Sequence, residues 1–308
     1  MNERVDTLIV GAGSAGCVLA ARLSEDPARR VLLLEAGPDL RPGTLPDNLR
    51  YLSRPVTWPY EWDDRARNAE DRPMFYGRGR GVGGSSGTNG AVAIRPEPAD
   101  LARWPEGWRW DDLLPALNAI ERDLEFGDRP WHGDAGPVPI TRWPESSWNA
   151  MQAGFVAGCE AIGLVRCPDH NEPDTTGVGP IPMNRVGLAR CSAMASHLEP
   201  ARGRTNLEVR GDQHVRRVLV AGGRATGVEL VDGSVIAADE VVLAAGVVQD
   251  PLLLWRSGIG PADRLRALGV AVVTDLPAVG AHLTDHPVVN FALPIRPEVI
   301  PDDAPSLQ

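Results

Sequence analysis

Two glycine-rich segments carry the residue types that suit a phosphate-bearing ligand. The first, Gly11-Ala-Gly-Ser-Ala-Gly16, follows the strand-like run Asp6–Val10 and leads into an apolar stretch that reaches Leu23. In a strand, turn and helix of this kind, Gly11 permits the tight turn, Gly13 lets a pyrophosphate approach and Gly16 allows close helix–strand packing. The phosphates then meet the helix N-terminus at Ser14 and Ala15. A second apolar strand, Val31-Leu-Leu-Leu-Glu35, ends in an acid 19 positions after Gly16. A carboxylate there, with Ala36 beside it, can accept hydrogen bonds from ribose hydroxyls. The second segment is Gly79–Gly90, in which six of twelve residues are glycine. It cannot build a core, but it can bring main-chain N–H groups close to a ligand, and Ser85, Ser86, Thr88 and Asn89 add short polar side chains. The embedded Val82 and the following Ala91-Val-Ala-Ile94 set it apart from a flexible linker.

The elements that must position these loops follow from periodicity and turn chemistry. Glu240–Gly246 reads as a buried parallel strand entering a small-residue turn at Ala245 and Gly246. Before it, Leu207–Arg210, His214–Val220, Ala225–Val231 and Ser234–Ala238 read as strands of an antiparallel meander. Gly222-Gly223 and Asp232-Gly233 supply tight hairpin turns. Gly37–Arg72 reads as a long excursion over the ligand, with Trp58 and Trp62 as packing anchors. Helices are expected at Trp110–Ile120, with a start or kink at Pro115, and at Ser147–Ile162. His170 lies in a polar turn before the helix-like Ser192–His197, which points to a surface or capping role. The fold class expected is α/β: a Rossmann-like parallel sheet with an antiparallel β-meander, plus part of an α+β substrate domain.

Composition narrows the function classes. The 308 residues allow a sizeable core, and the net charge is −10 with every basic residue an arginine. An acidic chain without a basic block lacks the surface that nucleic-acid binding requires. Absence of lysine excludes Schiff-base chemistry and a Walker-type phosphate loop. Cys17, Cys159, Cys167 and Cys191 show no metal or disulfide spacing, which predicts free thiols and a cytoplasmic location. The first strand begins too early for a signal peptide, and no apolar run is long enough to span a membrane. His282 and His286 stand four apart, but no third ligand completes a metal site, so no metal is expected.

Gly83–Gly90 resembles the first signature of the glucose-methanol-choline (GMC) flavoprotein oxidoreductases, Gly-Gly-Ser-Ser-x-x-Asn-Gly. Val247–Pro261 resembles the second signature: Pro251, Ser257, Gly258, Ile259, Gly260 and Pro261 match, whereas Val247 replaces a small residue and Asp250 a Ser or Thr. Val279–Pro287 is similar to the family's Val-Gly-x-Asn-Leu-x-Asp-His-Pro, with His282 at the Asn. The resemblance covers nearly the whole chain and is weakest between Glu121 and Trp148. The β–α–β unit alone would admit NAD(P) as well as FAD, and the Gly79–Gly90 loop tilts the choice to FAD. The resemblance implies that FAD lies along Gly11, Gly13, Ser14, Ala15 and Gly16, then Glu35 and Ala36. It also implies contacts from Arg80, Val82, Gly83, Gly84, Ser85, Asn89 and Gly90, with Ala91 and Val92 following. Val215 falls at the adenine end, and Ala245 and Gly246 pass under the dinucleotide. Asp285 and His286 become neighbours of the flavin edge. Relatives that tether FAD do so through a histidine that would fall at Thr88, so non-covalent FAD is expected.

The family chemistry is hydride transfer from an alcohol carbon to flavin, giving an aldehyde or ketone, with a histidine base paired to a His or Asn near the C-terminus. None of the six histidines falls in that motif, so no catalytic residue is assigned and the chain alone is expected to be inactive. The implied organisation is 1–140 and 191–284 for the FAD-binding domain, 141–190 for a substrate-domain segment, and 285–308 for the start of a truncated substrate-domain sheet. The partners implied are a small-molecule alcohol, an electron acceptor left open and a complementing C-terminal chain. Alternatives are an FAD-binding module, half of a split enzyme, or a lyase on the same scaffold.

Overall fold

β1 (Arg4–Val10) is the central strand of a six-stranded sheet, with β2 (Val31–Leu34) on one side. β2 in turn pairs in parallel with β3 (Leu207–Arg210) at the sheet edge. On the other side lie β4 (Val215–Ala221), β5 (Arg224–Leu230) and β6 (Val235–Leu243), and the spatial order is β4-β5-β6-β1-β2-β3. These assignments come from a computed structural model that describes residues 4–53, 60–67 and 70–286, together with Pro294 and Arg296. Trp58, Pro287 and the segment 301–308 lie outside the described residues.

Two sequence expectations change here. Ser234–Ala238 and the strand at Glu240 are one strand, β6. Its first half is antiparallel to β5 and its second half parallel to β1, and Ala237 pairs with Gly227 on one side and Arg4 on the other. Leu207–Arg210 is not part of the meander, because it joins the parallel edge beyond β2. The meander is therefore β4-β5-β6, and its first turn places Gly222 and Gly223 at φ +58° and +77°, as a tight hairpin turn requires.

The parallel strands are buried on both faces, which explains their unbroken apolar runs. Leu8, Val10, Leu32 and Leu34 point to one face, where they meet Val228, Ile236 and Leu253 of α2 (Gly246–Arg256). Ile9, Val31 and Leu33 point to the other, against Cys17, Ala20 and Ala21 of α1 (Ser14–Leu23) and against Met194 and Leu198. The period-2 alternation of the strands thus divides one apolar sequence between two cores.

The chain forms two compact units: Met1–Ala91 with Val186–Thr284, and Val92–Arg185 with Asp285–Gln308. The second unit contains the helix Trp110–Ile120, which Pro115 neither starts nor ends, and the helix Ala150–Ala161. The latter begins after Asn149, whose side chain accepts the Gln152 N–H at 2.9 Å while Gln152 Oε1 accepts the Asn149 N–H at 3.0 Å. This reciprocal cap sets the helix start at Ala150, three residues beyond Ser147, which ends a short 3-10 turn instead. Among the described residues no helix is long and apolar enough to cross a membrane.

Candidate functional site

The C-terminal ends of β1, β2 and β6 open onto a cleft of about 450 Å³ in the first unit, where open α/β sheets receive their ligands. Gly11, Gly13, Ser14 and Ala15 line it from the first turn, and Leu34, Glu35 and Ala36 from the end of β2. Gly79, Gly84 and Ser85 come from the glycine loop, and Val215, Ala245 and Gly246 from the far side.

Packing explains why glycine occupies these positions. A Cβ at Gly16 would stand 1.9 Å from Gly11 O, and one at Gly11, where φ is +97°, 2.5 Å from Ala244 O. At Gly84 it would lie 2.6 Å from Gly13 Cα, so the glycine loop sits directly on the start of α1. At Gly13 the nearest atoms would be 3.9 and 4.0 Å away, leaving its face open to the cleft. α1 has no side-chain cap at Gly13 and no acid in its first turn, so its N-terminal amides are left for an anionic ligand. The buried Asp64 Oδ2 lines the same cleft without a hydrogen-bond partner among the described residues, an acceptor suited to ligand hydroxyl or amine donors. Together, open amides for phosphate and a waiting acceptor fit a dinucleotide.

Glu35 has main-chain partners that the sequence reading did not anticipate. Its carboxylate accepts three main-chain N–H groups: Ala12 at 2.9 Å, Gly37 at 2.9 Å and Gly81 at 3.1 Å. One buried side chain therefore ties the first glycine turn, the end of β2 and the second glycine loop together. The Gly83 N–H adds a direct bond to Ala12 O at 2.8 Å. Burial pushes the Glu35 carboxyl above the usual range, against the three N–H bonds that pull it down. Cys17, beneath this loop, is pushed up to about 12 by burial and is no nucleophile. All four cysteines are free thiols.

The remaining expected residues act around the cleft rather than on its surface. Gly16 is packed behind it. Arg80 donates to Ala36 O at 3.0 Å and lies over the Trp62 ring, while Val82 and Gly83 are buried. The Asn89 side chain accepts the Ala91 N–H at 3.0 Å, and neither Asn89, Gly90 nor Ala91 lines the cleft; Val92 belongs to the second unit. Sequence reasoning missed Asp64, Arg78, Gln213, His214, Gln249, Asp250 and Arg256, which do line it. Trp62 also lines it, edge-on to His214 at 5.6 Å, where packing alone was expected. Burial, with Arg256 and Arg80 nearby, lowers the His214 imidazole, which keeps it neutral.

The second unit holds a different arrangement. His132 Nδ1 lies 2.5 Å from Glu121 Oε1 and its Nε2 2.9 Å from Asp169 Oδ2. Arg142 reaches Asp123 at 2.9 Å, Glu125 at 3.0 Å and Asp169 at 2.8 Å. Arg95 Nη2 is 2.8 Å from Glu121 Oε2 as an ion pair that lacks hydrogen-bond alignment. Burial alone would lower the His132 imidazole, but Asp169 and Glu121 push it up to about 9. Asp169 is held well below the usual carboxylate range, mainly by His132, although its burial opposes this. Glu121, Asp123 and His132 stand close enough to share a metal ion. Each is already paired with Arg95, Arg142 or Asp169, so the geometry is that of a closed ion-pair network.

Comparison with known proteins gives a consistent picture. The family model described as GMC oxidoreductase matches residues 5–288. The chain is 36% identical to 5-(hydroxymethyl)furfural oxidase of Methylovorus sp. (strain MP688), covering 96% of this chain and 60% of that protein. It is 40% identical to oxygen-dependent choline dehydrogenase of Burkholderia thailandensis, covering 91% and 52%. Among solved structures, pyridoxine 4-oxidase from "Mesorbium loti" superposes with a TM-score of 0.81 at 37% identity, over 89% of this chain and 55% of that one. The chain thus spans between half and two thirds of the length of these relatives.

Proposed function

The chain belongs to the GMC oxidoreductase family, and from that premise we propose that its first unit binds FAD for the oxidation of a small-molecule alcohol. The observation that carries this reading is the cleft itself. Two glycine loops, pinned to each other by Glu35 and by the Gly83–Ala12 bond, leave the uncapped start of α1 facing a space that no side chain of the described residues fills.

When bound, FAD supplies the two-electron acceptor that conversion of a CH–OH group to an aldehyde or ketone requires. The residues of this chain bind and orient it. The Gly13, Ser14 and Ala15 amides receive the pyrophosphate, Val215 packs at the adenine end, and Ala245 and Gly246 form the floor. Glu35 has one carboxylate lone-pair site on Oε2 beyond its three N–H partners, and that site is available to a ribose hydroxyl. Thr88 has no nucleophilic ring nitrogen, so the flavin is held without a covalent tether. The titratable groups of the cleft are Glu35, Asp64, His214, Asp250 and its arginines, and we assign none of them to proton abstraction from the alcohol. The four free thiols suit a reducing, cytoplasmic setting.

Titrating apo-protein with FAD while following flavin fluorescence tests the reading. Saturable quenching by FAD, with full release of the chromophore on denaturation, is expected. Preference for NAD, or flavin that stays with the precipitated chain, overturns it.

A further inference from the structure

Two helices aim their N-termini into the cleft of the first unit, and they are finished differently. α1 is open, as described. α2 is closed from within: the Asp250 carboxylate folds back so that Oδ1 accepts the Ala245 N–H at 2.9 Å and Oδ2 the Gly246 N–H at 3.2 Å. Ala245, Gly246 and Asp250 all line the cleft. The two turns also abut, since a Cβ on Gly11 would stand 2.6 Å from Ala245 Cα. An uncapped N-terminus on a helix of α2's eleven residues would be a second anion-binding end beside the first. Asp250 removes its leading donors and puts a carboxylate in their place.

We infer that Asp250 sets the affinity and placement of the dinucleotide: it reserves the α1 terminus for the pyrophosphate and repels phosphate charge from the α2 terminus. Glu35, Asp64 and Asp250 stand against Arg78 and Arg256 on the lining and Arg80 over the lining Trp62 ring, so removing Asp250 takes three carboxylates against three cations to two against three. The charge that fixes placement therefore also weakens binding. This inference rests on the FAD reading, and it gives a role to Asp250, which the sequence marked only as a departure from the family's Ser or Thr.

The test is calorimetric titration of apo-protein with FAD, ADP and inorganic pyrophosphate, for wild type, Asp250→Asn and Asp250→Thr, at low and moderate salt. Both variants are expected to bind ADP and pyrophosphate at least fivefold more tightly than wild type at low salt, with the gap narrowing as salt screens the charge. Circular dichroism melts establish that they are folded. Unchanged or weaker binding by the folded variants overturns the inference. So does failure of both variants to fold, because the carboxylate is then only a structural cap. Wild type that ignores FAD, with variants that still gain pyrophosphate affinity, sinks the cofactor reading and leaves Asp250 in its role.

Discussion

In the first unit the buried Glu35 carboxylate is held by three main-chain N–H groups, whereas in the second the buried Asp169 is held by His132, Arg142, Trp131 and the Asn171 N–H. Both solutions satisfy a carboxylate away from water, but they leave different surroundings. Main-chain donors come from loops, so satisfying Glu35 fixes two glycine-rich loops that could not order themselves, and the gap between them stays open. Ionic partners come from side chains of fixed elements, and in the second unit the buried ones use up one another's charge: Glu121, Asp123 and Asp169 against Arg95, Arg142 and a protonated His132, with the more exposed Glu125 also on Arg142. The first arrangement is poised for a ligand. The second is complete without one.

If that contrast is right, the ion-pair network should be the more fragile to the loss of one member. Arg142→Leu removes a guanidinium shared by three carboxylates, and an uncompensated buried charge of this kind costs about 3–5 kcal/mol. Denaturant unfolding should register that loss; a change below about 1 kcal/mol would mean that the network is decorative. Next in size is a pH effect. His132 is raised from an ordinary 6.5 to about 9, so the stability it confers is fully present below pH 6.5 and is lost as pH rises through about 9. Unfolding free energy should therefore fall by up to about 3 kcal/mol across that window. His132→Gln carries no proton to lose and should show a flat profile there. Parallel curves for the two proteins would place the alkaline loss elsewhere.

Glu35→Gln probes the other side of the comparison. An amide in place of the carboxylate turns an NH₂ toward at least one of the three main-chain donors, and an unmet buried donor costs about 1–3 kcal/mol. The sequence pointed to Glu35 as a ribose acceptor. With three main-chain partners in place, both melting temperature and FAD affinity should fall. A variant that melts like wild type but binds FAD poorly would restore the simpler role.

What was legible in the sequence was local. The turn at Gly11–Gly16, Glu35 and the Gly79–Gly90 loop each announce themselves within a few residues, because tight turns and close approach demand glycine. Pairing across long separations was not legible. β6 reads as two strands because Asp239 and Glu240 interrupt its apolar pattern, whereas the folded strand runs through them as its pairing passes from β5 to β1 near Ala237. β3 joins β2 across 176 positions, for which periodicity carries no signal. The network around His132 draws on Glu121, Asp123, Arg142 and Asp169, charged residues that look solvent-facing one at a time. Asp250 was visible as a departure from the family pattern, but its reach back to two amides is a property of the folded turn.

The smallest effect on stability, and the sharpest separation of ligand from fold, belongs to Gly13→Ala. Gly13 has φ −75° and ψ −161°, angles open to alanine. The new Cβ would meet nothing closer than Ala244 O at 3.9 Å and Gly84 Cα at 4.0 Å, which is ordinary contact. Gly13 is the N-cap of α1, where alanine is less favourable than glycine, so the replacement should cost up to about 1 kcal/mol of stability. The methyl group instead occupies the open face through which a pyrophosphate would approach the α1 amides. FAD affinity should fall about tenfold, or ~1.4 kcal/mol, with only a small drop in the melt of the apo-protein. Gly16 serves as the contrast, because there the added atom would collide with Gly11 O and report on packing alone. Should Gly13→Ala bind FAD as wild type does, the phosphates do not pass over Gly13, and the open face of the first unit serves some other ligand.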